Sequence, residues 1–299
     1  METVLHIKHL QKNFGKTQAL KDISFDVHKG EVFAFIGPNG AGKSTTIRIA
    51  LGLLKKSGGE ISLFGKDVFK NPVEIHKNLA YVPGDVSLWP NLTGGQTIDL
   101  LLRLGGQKRS HKTWDLIKEF DLDPSKKNRT YSKGNRQKVA LIAAFSADVD
   151  FYIFDEPTSG LDPLQELNFQ QEILKLKAAG KTILLSSHIL SEIEKIVDRL
   201  AIIRQGKIIE VGALADLKHL SALNVSALVK EKADKLAAMP GVRAFKQDGS
   251  RINFTIDREH LSEMMQVLAA LSVTDLQVTP PSLEELFLHF YDGGQKKVS

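Results

Sequence analysis

The segment Gly37-Pro38-Asn39-Gly40-Ala41-Gly42-Lys43-Ser44, followed by Thr45, has the spacing G-x-x-x-x-G-K-[ST]. Glycines in this pattern let the backbone curl into a nest of converging N–H groups, and a helix starting at its end adds partial positive charge. Such a loop suits a chain of phosphates. Lys43 should reach the outer phosphates, and the Ser44 hydroxyl is a hard oxygen donor of the kind Mg²⁺ prefers. Far downstream, Phe151-Tyr152-Ile153-Phe154-Asp155-Glu156 is an apolar run ending in two carboxylates. Asp155 suits a water-mediated hold on Mg²⁺, and Glu156 suits orienting and deprotonating an attacking water. Phosphate binding alone does not specify hydrolysis; the second constellation supplies it.

These residues need rigid carriers. Val32-Phe33-Ala34-Phe35-Ile36 is apolar throughout and leads directly into the glycine loop, as expected of a parallel strand buried on both faces; Thr45 to Leu54 reads as the helix after it. Phe151 to Phe154 and Thr182 to Leu185 share that character, each preceded by a helical stretch. Val4 to Lys8, and Ile23, Phe25 and Val27 in alternation with polar residues, read as strands of an antiparallel β subdomain. Ala201 to Ile203 and Lys207 to Glu210 flank Gln205-Gly206 and predict a hairpin. Strands alternating with helices imply an α/β core whose ligands sit at the carboxyl ends of its strands. Between Thr93 and Ala147 the pattern turns helical (Gln96 to Leu104, His111 to Phe120, a long run from near Ser132), which predicts a helical insertion over about 93–147.

At 299 residues the chain is too long for one ordinary core. Hydrophobic residues at 42% and charged residues at 25% exclude a disordered or collagenous chain, and the absence of cysteine excludes disulfides, thiolate metal sites and a cysteine nucleophile. The longest purely apolar run, Val139 to Phe145, is far short of the ~20 residues a spanning helix needs, and Met1 to Gln18 shows no apolar signal region. The net charge of +5 sits in the first two thirds as scattered pairs such as Lys55-Lys56 and Lys126-Lys127, a solvated surface rather than a nucleic-acid stripe. After residue 212 the rhythm changes. Asn224 to Lys230 (strand), Glu231 to Ala238 (helix), Val242 to Gln247 with Arg251 to Ile256 (hairpin), Arg258 to Leu271 (helix) and Val273 to Val278 (strand) spell βαββαβ, a ferredoxin-like order. The second helix lines up Leu261, Met264, Met265, Leu268 and Leu271, a core stripe. Beyond Pro280-Pro281, Ser282 to Tyr291 reads as an amphipathic helix with Leu283, Leu286, Phe287 and Phe290 on one side, packed on the module or docked onto a partner.

Asp155-Glu156-Pro157-Thr158-Ser159-Gly160-Leu161-Asp162-Pro163, with the phosphate loop before it, resembles the ATPase of an ATP-binding cassette (ABC) transporter over residues 1–212. The resemblance implies a P-loop NTPase (RecA-like) core, with residues 213–299 as an accessory module. His188, in Ser187-His188, falls where the family carries its switch histidine, which contacts the γ-phosphate and helps position the water. Phe14 resembles the aromatic that stacks on adenine, its other reading being an ordinary buried Phe. The family's signature segment, commonly Leu-Ser-Gly-Gly-Gln, appears as Tyr131-Ser132-Lys133-Gly134-Asn135. Ser132 and Gly134 keep the donors that close over the γ-phosphate of ATP on an opposite subunit, while Lys133 and Asn135 depart. Where the family places a Gln that touches Mg²⁺, after Tyr81-Val82-Pro83, this chain has Gly84 and then Asp85. Asp85 replaces it through a water, or coupling runs through the backbone and Trp89-Pro90-Asn91-Leu92.

The resemblance therefore implies ATP and Mg²⁺ as ligands, Glu156 and His188 as catalytic residues, and Ser44 and Asp155 as metal holders. It implies a nucleotide cradle from Phe14, residues 37–45, Ser132, Gly134 and Asp162. It implies a head-to-tail dimer with a second ATPase chain, identical or not, with Asp162 crossing the interface. Integral membrane permease subunits, docked on the helical insertion, would complete the transporter at the cytoplasmic face of the cell membrane. The Gly-Asp variant, the altered signature and the extra module resemble bacterial exporter ATPases for drugs, peptide antibiotics or lipids. Two rivals remain at this point: a cassette ATPase acting on ribosomes or DNA, which should carry two cassettes or a long coiled coil, and an ATP sensor that does not hydrolyse.

Overall fold

The computed structural model describes residues 2–219, 222–271 and 273–287, which form two compact units, Met1–Gly212 and Ala213–Ser299. In the first, β1 (Thr3–Phe14) and β2 (Thr17–His28) form an antiparallel ribbon that leads into β3 (Val32–Ile36), every residue of which is buried. The phosphate loop follows, and α1 (Lys43–Ala50) starts on Gly42, whose φ of 118° only glycine adopts freely. Next come β4 (Gly58–Leu63), β5 (Lys66–Asp67), the short α2 (Pro72–His76) and β6 (Leu79–Val82). The insertion holds α3 (Gly94–Leu104), α4 (His111–Glu119) and α5 (Lys133–Ser146). The core is completed by β7 (Phe151–Asp155), α6 (Pro163–Ala178), β8 (Thr182–Ser187), α7 (Leu190–Ile193), β9 (Arg199–Arg204) and β10 (Lys207–Ala213).

All ten strands join one sheet in the order β5-β4-β1-β2-β10-β9-β3-β8-β7-β6. Its half from β9 to β6 is parallel, and the register places the chemistry: Ile36 pairs with Ser187 and Asp155 with Ser186. The chain therefore leaves β3, β7 and β8 at one level, putting Gly37, Glu156 and His188 at the same end of three adjacent strands. On the other side β5, β4, β1 and β2 pair antiparallel, as the alternation in β2 predicts, while β10 joins β2 in parallel. The hairpin at Gln205-Gly206 forms with both residues at positive φ, 48° and 74°, the geometry of a two-residue turn that matches strand twist.

Two apolar layers hold this sheet. Phe25, Phe33 and Phe35 stack within the core shared with Ile47 of α1 and Ile203 of β9. On the β7 side, Phe154 is fully buried against Phe145 of α5 and Phe169 of α6, with ring centroids 5.4 and 5.5 Å away. Several sequence expectations need correction. The helix expected over Thr45 to Leu54 begins at Lys43 and stops at Ala50, because the chain turns at Gly52, φ 69°. The strands β4, β5 and β6 had no reading from the sequence, being short and partly polar.

In the second unit, α8 (Leu214–His219) is followed by β11 (Leu223–Leu228), α9 (Asp234–Ala237), β12 (Val242–Asp248), β13 (Arg251–Ile256), α10 (Leu261–Ala270) and β14 (Thr274–Thr279). The antiparallel sheet runs β12-β13-β11-β14, the arrangement a βαββαβ chain gives when its outer and inner strands interleave. The helix expected over Glu231 to Ala238 shrinks to one turn. Gln247 explains this: its Oε1 accepts from the Ala233 N–H and its Nε2 donates to the Glu231 carbonyl, tying that backbone to β12. Arg258–His260 is a 3₁₀ turn, and α10 buries Met264 and Leu268 while Met265 is 44% exposed. Residues 283–287 are helical, with Leu283 and Leu286 buried; the rest of that expected helix, with Phe290, lies outside the described residues.

Phe154 is the apolar anchor immediately before Asp155. We expect Phe154→Ala to cost about 3–5 kcal/mol, read as a lowered urea midpoint of the first unit; a loss under about 1 kcal/mol would contradict this packing account.

Candidate active site

Lys43 is 5% exposed, and its ammonium donates to the Gly37 carbonyl at 2.6 Å and to that of Pro38 at 3.4 Å. It also lies 3.0 Å from Glu156 Oε1, and the other oxygen of Glu156 lies 2.6 Å from Nδ1 of His188. One carboxylate thus sits between two nitrogen groups. Glu156 has a φ of 51°, a left-handed conformation that is costly for a side chain with a Cβ and tends to occur at functional sites. Glu156 Oε1 is enclosed and faces the Lys43 ammonium, which also serves the loop carbonyls.

Asp155, 3% exposed, accepts a hydrogen bond from Ser186 Oγ at 2.6 Å. Tyr81, on β6 opposite Ile153, lies in the field of Asp155; burial first, then that carboxylate, push its phenol up to about 12 against the opposing pull of Arg48. Ser44, half-buried, and Asp155 are the sequence neighbours of the Lys43–Glu156 pair. Both are hard oxygen donors suited to Mg²⁺. Among the described residues no three His, Asp or Glu side chains form a metal cage, so a cation here needs phosphate oxygens and water to complete its shell. In the loop, Asn39 and Gly40 are exposed and Ala41 is buried, its N–H bonded to the Pro38 carbonyl; Thr45 is half-buried.

The remaining predicted residues belong to other groups. Phe14 ends β1 and is 50% exposed, with the Lys12 ammonium 4.8 Å from its ring centre, so the buried reading is removed. Ser132 caps α5 by accepting from the Asn135 N–H; Lys133 donates to Ser159 Oγ at 2.7 Å; and a Cβ on Gly134 would lie 2.3 Å from the Gly160 carbonyl. The signature glycine is therefore a close-approach position against the loop Ser159–Asp162. Asp162 caps α6 through Gln165 N–H. Ser132, Lys133 and Asp162 are all exposed.

A family model described as ABC transporter matches residues 20–159, and a second, described as the C-terminal domain of DrrA1-3-like ATP-binding proteins, matches residues 212–291. The uncharacterized ABC transporter ATP-binding protein YdbJ of Bacillus subtilis is 31% identical over 299 residues, covering 96% of this chain and 95% of that protein. The chain belongs to the ABC transporter ATP-binding proteins. The linearmycin resistance ATP-binding protein LnrL of B. subtilis is 28% identical across 96% of this chain and 97% of that one. The bacitracin transport ATP-binding protein BcrA of Bacillus licheniformis is 29% identical across 98% and 99%. The solved structure of an ATP-binding subunit of an ABC transporter matches with TM-score 0.66 and 35% identity, over 72% of this chain and 92% of that chain.

Within this ABC ATP-binding subunit, Gly84 has a physical reason: a Cβ there would sit 3.0 Å from the Asp155 carbonyl and 3.4 Å from Glu156 Cβ. The backbone itself packs on the two carboxylate residues, and Asp85 is exposed. Sequence reasoning missed Ser186 and Tyr81. Only the registers Asp155–Ser186 and Ile153–Tyr81 bring them to the site, and neither carries a motif. We expect Gly84→Gln, which restores the family's residue type, to lower the urea midpoint of the first unit, since crowding of this kind costs about 1–3 kcal/mol of stability. An unchanged midpoint in that variant would show that the position accepts a side chain.

Proposed function

We propose that this chain hydrolyses ATP as the energising subunit of an exporter. The observation that carries the reading is the Lys43–Glu156–His188 cluster at the ends of adjacent strands, beside a glycine loop that starts a helix. An incoming triphosphate competes with Glu156 for Lys43: the loop N–H groups and the ammonium take the phosphates, and the carboxylate is released toward water. Glu156 Oε1 accepts the water proton, with His188 on its second oxygen holding it in orientation. Ser44 and Asp155 would hold Mg²⁺, which when bound neutralises charge on the transferring phosphoryl group. Phe14 offers an exposed ring for the adenine. Ser132, Gly134 and Asp162 stand on a separate exposed group, as a head-to-tail dimer requires, each copy completing the other's site.

Residues 1–212 serve as the ATPase domain and 213–299 as an accessory module. No helix among the described residues is long and apolar enough to cross a membrane; permease subunits would supply the transport path. A groove of about 520 Å³, mostly apolar, runs between Leu53, Tyr81, Val86 and Trp89 on one side and Leu101, Leu104 and Ala143 of the insertion on the other. Trp89 and Leu104 are 50% and 72% exposed. A short helix from a permease fits such a slot, which supports a peripheral position at the cytoplasmic face. The relatives named for bacitracin transport and linearmycin resistance support export as the direction.

The test is Glu156→Gln. Turnover should fall at least about 100-fold with ATP binding retained, and light scattering should show a dimer formed with ATP and Mg²⁺. Pull-down of this variant from source-cell membranes should recover a protein with several membrane spans. Recovery of ribosomes or DNA-bound proteins without a membrane partner would overturn the transporter reading; undiminished turnover would overturn the role of Glu156.

A further inference from the structure

Ser186 lies on β8, fully buried, two residues before His188. Its Oγ makes two hydrogen bonds that together span the carboxylate pair. It donates its one proton to Asp155 Oδ1 at 2.6 Å and accepts from the Glu156 N–H at 3.0 Å. The same N–H also reaches the Ser186 carbonyl at 3.2 Å. Three consequences follow from elementary chemistry. A carboxylate pinned through one oxygen cannot spin freely, which leaves the other oxygen in a set direction. The left-handed backbone of Glu156 is strained, and a strained residue persists only where neighbours over-determine it; two acceptors on one N–H do this. Lastly, a shift of Asp155 toward a cation must pull on a hydroxyl that also holds the base.

We propose that Ser186 is a positioning residue, joining the carboxylate that faces the cation to the carboxylate that activates water. The proposal rests on the ATPase reading above. Ser186 is fully buried and acts by holding Asp155 and Glu156 in one geometry, so that loading of the cation and alignment of the base occur together. The bland alternative is a serine that merely satisfies buried polar groups, and this predicts a loss of stability with no specific effect on the cation.

The two are separated by Ser186→Ala, with Ser186→Thr as the variant that keeps the hydroxyl. Binding of a fluorescent ATP analogue is measured first in EDTA, then at rising Mg²⁺, alongside turnover. Residues that orient metal ligands typically contribute about 10- to 100-fold to affinity or activity. Ser186→Ala should therefore raise the Mg²⁺ needed for half-maximal binding, and lower kcat, by about 10-fold or more. Its binding in EDTA and its KM for ATP should stay within about twofold of wild type, since the phosphate loop is untouched. Ser186→Thr should recover most of both losses. If the alanine variant does not fold, Ser186→Cys, similar in size and a weak donor, is held to the same criteria. A Mg²⁺ midpoint and kcat unchanged in the folded variant would overturn the proposal, as would an equal loss of binding in EDTA. Wild-type protein without Mg²⁺-dependent binding or turnover would instead overturn the ATPase reading itself.

Discussion

An ammonium group taken out of water must be partnered, and the architecture around Lys43 follows from that requirement. An unpartnered ion in a protein interior costs several kcal/mol, and Lys43 is 5% exposed. The loop's own carbonyls and the Glu156 carboxylate meet the charge. A carboxylate is the side chain nearest in charge to a phosphate oxygen. On the proposed function, the site exchanges one anion for another and the exchange releases the carboxylate toward water, so that one competition for one cation links binding to activation.

Everything else keeps that pair in register. The parallel pairing of β3, β8 and β7 brings three loops to one level, and the aromatic packing of Phe145, Phe154 and Phe169 fixes β7 just before its carboxylates. Gly84 lets the segment after β6 press on the Asp155 backbone and the Glu156 Cβ. The same segment continues into Val86 and Trp89 on the apolar groove. A helix seated there would be felt at the carboxylates through the main chain, without the side chain the family places at this position. The exposed group of Ser132, Lys133 and Asp162, by contrast, has its own scaffold in Gly160 and the caps of α5 and α6.

Much of this was legible in the residues. The glycine loop and the apolar run of β7 ending in two acids each carry a chemical requirement that few residue types meet, so spacing points to them; the histidine after β8 was legible only through the family resemblance. The alternation of β2 and the Gln205-Gly206 turn were legible for the same reason. What escaped depends on contacts distant in sequence. A serine in a buried strand looks like any other until the register sets it opposite Asp155, and Tyr81 becomes part of the site only through its pairing with Ile153. The end of α1 near Gly52 and the single turn of α9 were decided by backbone φ and by the Gln247 hydrogen bonds, neither of which periodicity reports. Met265 followed the helical stripe in sequence but faces outward, since Met264 and Leu268 already fill the layer.

The central claim, that phosphate displaces Glu156 from Lys43, is most directly tested by a crystal structure of this chain with a non-hydrolysable ATP analogue and Mg²⁺. The account predicts the Lys43 ammonium on the β- and γ-phosphates and the Glu156 carboxylate freed to hold a water in line with the γ-phosphorus. A Lys43–Glu156 contact still at 3.0 Å with the analogue bound would contradict it.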